Sequence, residues 1–299
     1  MTRIAWICCI LALFVLPSPG IAKQPAQVQL TTIFTYTRDA APGIREIGIN
    51  FDGAESVLYS SQFGAEDMEI TPDGQNLVGG FFNGEVILIP LDGSQPTVLY
   101  QVSNGFIQGI GTTNEDVNVA FTDGSDPVVI NVKFNDPGNA VVVADASTGL
   151  TGHPQDTDVF VFNGMTYDAT ATETKVHIRV HGSTGPDAAQ IDLSNGAVKA
   201  KVVDGNLWFT DQNFSGDLWS GQIGDINGNT GLTEWDESPT VVLMLQESSN
   251  IKSFDLAGDE VFLKVEDQLK RFDKTTLAPR SAVTVGFNIG LSAVDADLT

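Results

Sequence analysis

The chain has only two cysteines, Cys8 and Cys9, and both lie in an apolar segment at its amino end. The sequence from residue 23 onward therefore contains none, which excludes disulfides, thiolate metal sites and cysteine nucleophiles from that part. An exported domain without disulfides must be held together by its hydrophobic core. About 277 residues are enough to bury such a core.

Basic residues are scarce, with 15 lysines and arginines against 38 aspartates and glutamates, for a formal net charge of −23. A field of this sign repels nucleic acid and anionic membrane surfaces. It favours a basic partner, divalent cations or simple solubility, and a well-solvated acidic surface is the plainest interpretation. We therefore predict no nucleic-acid partner and a monomeric protein.

Long apolar runs are missing except for one, from Ile4 to Leu16. Its roughly 13 residues fall short of the roughly 20 that span a bilayer. The run follows Arg3 and precedes Gly20-Ile21-Ala22, which is the order of a secretory signal peptide. We predict a signal peptide over residues 1–22, cleaved after Ala22. The remainder, residues 23–299, is then one extracellular or periplasmic domain with no membrane span. An uncleaved membrane anchor is the alternative.

Amphipathic helical patterns are also missing after this segment. Short apolar or alternating runs recur between Gly, Asp, Asn and Pro clusters, which is typical of an all-β sandwich, barrel or propeller. A repeated unit of strand, polar turn, strand and acidic or glycine turn favours the propeller. The closing turns lie near Asp52, Asp92, Asp136, Gly182, Asp225 and Asp273. Their spacing of about 40 to 48 residues is the length of a four-stranded blade.

The first copy of the repeat has no leading strand, whereas the chain's end carries a spare one at residues 289–295. Unpaired strand edges are costly, so we expect this strand to pair with the one at Ile33. The prediction is a six-bladed β-propeller of four-stranded antiparallel blades, closed by its carboxyl-terminal strand. Two β-sandwiches divided near residues 148–152 are the alternative, although the repeat runs through that point.

The best-preserved copy runs from Lys201 to Ile223. Asp204-Gly205-Asn206 supplies a hairpin turn, and Leu207-Trp208-Phe209-Thr210-Asp211 has the composition of a packed strand. This unit resembles the YWTD repeat of low-density-lipoprotein-receptor-type six-bladed propellers. Residues 119–123 match it in part, and residues 290–295 resemble its innermost strand. We expect Trp208, Phe209 and Trp219 to pack between blades.

The resemblance implies a propeller that binds protein on one face. The second, fourth and sixth copies lack its aromatic pair, so NHL, TolB-like and gluconolactonase-like propellers remain alternatives. The gluconolactonase-like class would imply a divalent cation in the central channel and lactone hydrolysis. We therefore predict a binding module for a protein, peptide or glycan. The alternative is a metal-dependent hydrolase of the lactonase or esterase kind.

Polar side chains at the starts of the innermost strands converge on the channel mouth of a propeller, which makes them the default binding site. By position in the repeat, these candidates are Glu66, Asp67, Gln108, Gln155, Asp156, Asn250 and Asn288, with Lys199 beside them. Glu66, Asp67 and Asp156 carry the oxygens that calcium prefers, so they are the candidate metal ligands. Solvated loop polarity is the plainer interpretation of the same residues.

Other motifs carry less information. Residues 225–231 resemble a calcium loop but lack the Gly and Glu positions of an EF-hand. Asn213 begins a glycosylation sequon, and His153 could serve as a general base. His177 and His181 are too far apart along a strand to share a metal. No nucleophile elbow, zinc-protease motif or phosphate loop is present, so no catalytic residue is predicted.

Overall fold

The computed structural model describes residues 32–41, 44–51, 54–103, 105–193, 195–211, 216–223, 242–284 and 291–295. The predicted signal peptide, the loop at residues 225–231, Asn213 and Asn288 lie outside these ranges, so the predictions made on them stay predictions. The described part of the chain contains no helix with the length and hydrophobicity that a membrane crossing requires.

The described chain consists mainly of short strands separated by tight turns. In the turn after Lys199–Val203, for example, Asp204 and Gly205 reverse the chain with φ values of 52° and 71°, as a two-residue hairpin requires. Asn206, which the sequence placed in this turn, instead begins the next strand and pairs with Val203. The strands are β1 (Thr32–Ala41), β2 (Ile44–Phe51), β3 (Ala54–Ser61), β4 (Ala65–Ile70), β5 (Asn76–Phe81), β6 (Glu85–Pro90), β7 (Thr97–Gln101), β8 (Ile107–Thr112), β9 (Asp116–Asp123), β10 (Asp126–Lys133), β11 (Ala140–Asp145), β12 (Pro154–Phe162), β13 (Met165–Thr172), β14 (Lys175–Val180), β15 (Ala189–Asp192), β16 (Lys199–Val203), β17 (Asn206–Thr210), β18 (Asp217–Gln222), β19 (Val242–Gln246), β20 (Ile251–Ala257), β21 (Glu260–Val265), β22 (Gln268–Asp273), β23 (Pro279–Thr284) and β24 (Leu291–Asp295).

Five groups of four successive strands form antiparallel blades, and the fold is an all-β propeller. We call them blade A (β4–β7), blade B (β8–β11), blade C (β12–β15), blade D (β16–β19) and blade E (β20–β23). The first strand of each blade contacts the first strand of the next, from β4 through β8, β12 and β16 to β20. These first strands are therefore the innermost ones, and they surround the central channel.

A sheet built from both ends of the chain adjoins these blades, in the order β24-β1-β2-β3, and we call it the terminal sheet. Ile33 pairs with Val294 and Thr35 with Ser292, so the carboxyl-terminal strand pairs with the first strand as predicted. The sequence predicted six blades, and the structure shows five. Five blades are self-contained units of successive strands, whereas the terminal sheet takes its strands from opposite ends of the chain.

The hydrophobic cores lie between neighbouring blades. Val86 of blade A packs in one cluster with Ile107 and Val119 of blade B. Phe209 belongs to the cluster between blades C and D, and Trp208 to the one between blades D and E. Trp219 packs, partly buried, against the core of blades C and D. The prediction that these three aromatic residues pack between blades is confirmed.

Blades B and C approach each other most closely where β8 carries two glycines. A Cβ atom on Gly109 would lie 2.3 Å from the backbone nitrogen of Thr157, and one on Gly111 would lie 2.9 Å from the backbone of Asp158. Real Cβ atoms do not approach other heavy atoms so closely, so glycine is required at Gly109. The contact brings the backbones of two innermost strands, β8 and β12, together.

Candidate functional site

Four innermost strands share a β-bulge near their first residue. The strand pairing skips one residue in each: Glu66, Gln108, Gln155 and Lys252. A bulge commonly turns a side chain away from the regular alternation of a strand. The structure thus places the predicted residues Glu66, Gln108 and Gln155 at equivalent positions at the start of the channel. Lys252 is the equivalent residue that the sequence did not single out.

The uncharged residues predicted at this end contact their own surroundings. Gln108 Oε1 accepts a hydrogen bond from Thr122 at 3.2 Å, and Gln155 Nε2 donates to the backbone oxygen of His153 at 3.4 Å. His153 itself is exposed. Asn250 is half-buried directly before β20. Neither Gln155 nor Asn250 is brought against the carboxylates described below.

Asp67 and Asp156, two predicted binding residues, connect neighbouring blades instead of facing solvent. Asp67 Oδ2 accepts the backbone N–H of Ile110 at 2.8 Å, and Asp156 Oδ2 accepts that of Ala200 at 2.9 Å. Both aspartates are buried. Their carboxylates therefore satisfy backbone donors of the next innermost strand, a role that stabilises the ring.

Lys199 of blade D crosses the channel between these two aspartates. Its Nζ atom lies 2.6 Å from Asp67 Oδ1 and 3.2 Å from Asp156 Oδ1. The cation between the two carboxylates is thus an ammonium group. The described residues include no group of three or more His, Cys, Asp or Glu side chains placed to hold a metal ion. The predicted calcium ligands Glu66, Asp67 and Asp156 thus gain no support.

A second layer of charge lies one inward-facing position further along the strands. Lys201 Nζ lies 2.5 Å from Glu69 Oε2 and 3.4 Å from Asp255 Oδ1. Asp158 stands in the same layer and accepts the backbone N–H of Val202 at 2.9 Å. Two lysines of blade D are therefore surrounded by carboxylates from blades A, C and E.

Carboxylates outnumber ammonium groups in these two layers, and the pKa values reflect this. Burial raises the pKa of Asp156 to about 8 and that of Asp158 to about 6, although lysines oppose the shift. Burial also raises the pKa of Glu69. Burial acts to lower the pKa of Lys199, but Asp156 and Asp67 outweigh it and hold that pKa above its usual value. Burial likewise acts to lower the pKa of Lys201, but Asp255 and Glu69 hold it above its usual value, so both lysines are cationic at neutral pH.

A histidine links blades B and C at the other end of the propeller. His181 Nε2 lies 3.0 Å from Asp116 Oδ1, and His181 Nδ1 lies 2.5 Å from Asp168 Oδ1. Burial acts to lower the pKa of His181, but the hydrogen bonds to the two aspartates raise it to about 9. His181 is therefore a positively charged side chain that links blades B and C through its contacts with the two aspartates.

His177 belongs to a separate buried network, which agrees with the expectation that the two histidines do not share a metal. His177 Nδ1 lies 2.7 Å from Asp187 Oδ2, and Arg179 Nε donates to Asp187 Oδ1 at 2.5 Å. Arg179 also donates to the backbone oxygen of Thr148 at 3.1 Å. The network anchors the loop that precedes blade C.

Three phenylalanines lie at the end of the propeller where the innermost strands start. Phe63, Phe82 and Phe106 are 44%, 42% and 71% exposed. Phe63 precedes β4, and the N–H of Phe82 donates to the oxygen of Gly64 at 3.1 Å. We call these three residues the phenylalanine patch.

Phe106 is at the same end because β4 and β8 run side by side in the same direction. Asp67 of β4 bonds to Ile110 of β8, and three residues later the oxygen of Ile70 accepts from Thr112 Oγ1. The starts of both strands, and with them Phe63 and Phe106, therefore lie together. At the opposite end, the described turns of blades A and B expose no large hydrophobic residue.

Known structures share this architecture. A chain of the nidogen/laminin complex aligns with a TM-score of 0.64 at 11% identity, over 89% of this chain and 99% of that chain. The β-propeller domain of Cps50 (Swd1) from Myceliophteria thermophila gives 0.55 at 10% identity, over 89% and 93%. The WD40 β-propeller domain of Doa1 gives 0.51 at 12% identity, over 85% and 75%. Identities this low show the fold alone. The sequence matches no protein-family model and no curated relative.

Proposed function

We propose that the protein is a binding module that recognises a protein, peptide or glycan on the face where the innermost strands start. The phenylalanine patch carries this proposal, because large aromatic side chains exposed together at one end of an acidic protein are characteristic of interaction sites. The described turns at the opposite end of blades A and B expose no large hydrophobic residue, and the exposed Val161 and Met165 at that end belong to blade C. Propellers in solved complexes, such as the nidogen/laminin complex, provide a parallel for this use of the fold.

The alternative hydrolase finds no favourable observation. It needs carboxylates or amides that are open to a substrate and to a metal ion. Asp67 and Asp156 are buried, accept backbone hydrogen bonds and share the ammonium group of Lys199. The channel groups are thus engaged with one another, and binding on the face is the better-supported function.

The test uses three forms of the protein on a random peptide display library and a glycan array. The first is the wild type, and the second is the face variant Phe63→Ser/Phe82→Ser/Phe106→Ser. The third, a matched control, is Val98→Ser/Val141→Ser/Val142→Ser, which changes exposed apolar residues on outer strands. Ligands found with the wild type should bind the control equally well and should not bind the face variant. Equal binding to all three correctly folded forms would refute the proposal.

We further propose that the protein is exported, since residues 1–22 have the order of a signal peptide. Expression of the full chain in a secreting bacterial host should give an extracytoplasmic protein that begins at Lys23. Retention of Met1 on a membrane-bound product would show that the segment is an anchor instead.

We also propose that the terminal sheet serves as a sixth blade and closes the ring. The proposal is supported by contacts of β24 with both β20 and β4. Deleting residues 287–299 should then lower the melting temperature by more than 10 °C, because it exposes strand edges on both sides. A truncated protein that melts like the full chain would contradict closure.

A further inference from the structure

Two carboxylates lie close in sequence to members of the phenylalanine patch, and one of them, Glu66, is incompletely paired. Glu66 lies three residues after Phe63, at the bulge that opens β4. Its Oε2 atom is buried and has no hydrogen-bond partner among the described residues. Burial raises the pKa of Glu66, while Lys199 opposes the shift and Asp67 adds to it. A buried carboxylate oxygen without a donor is an unfavourable arrangement that a bound donor would relieve.

A second carboxylate, Glu85, lies in the hairpin that carries Phe82. Glu85 begins β6, three residues after Phe82, and its Oε2 accepts a hydrogen bond from Asn83 at 2.7 Å. Glu85 also contributes, after burial, to a raised pKa of the neighbouring Tyr59. Phe63 and Phe82 are thus each followed, three residues later, by an acidic side chain at the same end of blade A.

The charge of the rest of the molecule has the same sign. The chain carries a formal net charge of −23, and the channel layers beneath Glu66 hold more carboxylates than lysines. Lys252, the cation among the bulge residues, belongs to blade E, whereas the patch lies on blades A and B. A second copy of this acidic chain is thus a poor occupant of the patch.

Resting on the proposed function, we infer that the partner is a protein segment in which a lysine or arginine is flanked by apolar side chains. The apolar side chains cover Phe63, Phe82 and Phe106, as hot-spot aromatic residues require. The cation donates to Glu66, so its charge lies at the channel mouth. Complementary charge of this kind contributes to specificity and to the rate of association.

The first experiment examines the composition of selected peptides. A random dodecapeptide display library is panned on the immobilised wild type, and clones that also bind the face variant are removed. The remaining peptides should contain a lysine or arginine within three residues of an aromatic or aliphatic side chain. Face-specific peptides without basic residues would overturn this inference but leave the proposed function intact.

The second experiment measures the pairing itself with one selected peptide and its analogue, in which norleucine replaces the basic residue. Glu66→Gln should weaken the parent peptide about tenfold and leave the analogue unchanged. The matched control Glu115→Gln changes an exposed carboxylate in a turn at the opposite end and should affect neither peptide. Equal effects of Glu66→Gln on both peptides would refute the assigned contact.

Further measurements distinguish a basic protein segment from a glycan or a second copy of the chain as the occupant of the patch. Binding of the parent peptide should weaken as salt rises from 50 to 500 mM, and Glu66→Gln should flatten that dependence. If no peptide but a glycan binds in a patch-dependent way, the protein partner is refuted and the binding face is retained. If the wild type forms a dimer that the face variant abolishes, the occupant is a second copy and the inference is wrong.

Discussion

The central channel and the face at its entrance differ in how their polar groups are paired. Inside the channel, Lys199 and Lys201 each contact two carboxylates from other blades. At the entrance, the Oε2 atom of Glu66 has no partner among the described residues, and Phe63 and Phe106 are exposed to solvent. Both regions are acidic, but of the two, the entrance is where described residues include a carboxylate oxygen without a partner and exposed aromatic side chains.

This difference separates stability from binding in a fold where both are built on the same strands. Charges that contact each other across blades connect the innermost strands of the ring. Groups at the bulges and loops are less engaged, so a partner can contact them without disrupting the fold.

The largest effect is expected from removing a channel lysine. Lys201→Met leaves Glu69 and Asp255 without their cation in a buried layer, which should lower the free energy of unfolding by about 3–5 kcal/mol. The control Lys274→Met removes an ion pair to the exposed Asp204 and should cost about 0–1 kcal/mol. Urea unfolding measures both. A Lys201→Met protein as stable as the control would show that the channel charges do not hold the ring.

A smaller loss is expected from separating two innermost strands. Gly109→Ala places a methyl group 2.3 Å from the nitrogen of Thr157, and relieving that overlap should cost about 1–3 kcal/mol. Gly185→Ala, where the nearest atom is the hydroxyl oxygen of Ser183 at 3.1 Å, is the control. It should change the free energy of unfolding by less than about 0.5 kcal/mol. Equal stability of the two variants would argue against a backbone contact between β8 and β12.

The pH dependence of stability should follow Asp156 and His181. A carboxyl with a raised pKa keeps its proton in the folded state after the unfolded state has lost it. The favourable contribution of Asp156 to the free energy of unfolding is therefore lost as pH rises from the ordinary pKa of an aspartate to about 8. The contribution of His181 is complete below its unfolded pKa and is lost as pH rises through about 9.

The free energy of unfolding should thus fall by about 2–3 kcal/mol per pH unit between pH 6.5 and 8, where both groups contribute, and less steeply from pH 8 to 9. Urea titrations at pH 6, 7.5 and 9 test this expectation. Asp156→Asn and His181→Asn should each flatten the decline, because each removes one of the titrating groups. A stability that rises over this range would contradict the assigned shifts.

The smallest effect on stability is expected at the face. Phe106→Ser changes a side chain that is 71% exposed, so the free energy of unfolding should stay within about 0.5 kcal/mol of wild type. Affinity for a selected peptide should nevertheless drop at least about tenfold, as is usual for an aromatic hot spot. Calorimetry of folding and of binding measures the two quantities. A large loss of stability would place Phe106 in the structural core instead.

Much of the architecture follows from local patterns. The repeat located the strands, the turn at Gly205 and the innermost positions of Glu66, Gln108 and Gln155, because turn chemistry and strand alternation are encoded by neighbouring residues. It also predicted the pairing of the carboxyl-terminal strand, since a missing strand and a spare one were both visible. The predicted count of six blades exceeds the five self-contained ones, because one copy of the repeat lies in a sheet that the chain's two ends share.

The channel contacts were not predictable in the same way. Glu69 and Lys201 are 132 residues apart, so no local spacing connects them. One signal was present: Asp156 with Asp158, and Lys199 with Lys201, repeat charge at every second residue and hence on one side of a strand. Solvated strands show the same alternation, so only the assembled ring reveals that these side chains face one another. The exposed Phe82 and Phe106 lacked any pattern that distinguishes them from core residues.

Hydrogen exchange with and without a selected peptide tests the division between channel and face most directly. On peptide binding, we expect the backbone amides of residues 63–66, 82–85 and 105–108 to exchange more slowly. The amides of Ala200 and Val202, which donate to Asp156 and Asp158, should be slow to exchange in both states. Protection confined to the turns at the opposite end, or peptide-dependent exchange of the amides of Ala200 and Val202, would contradict the account.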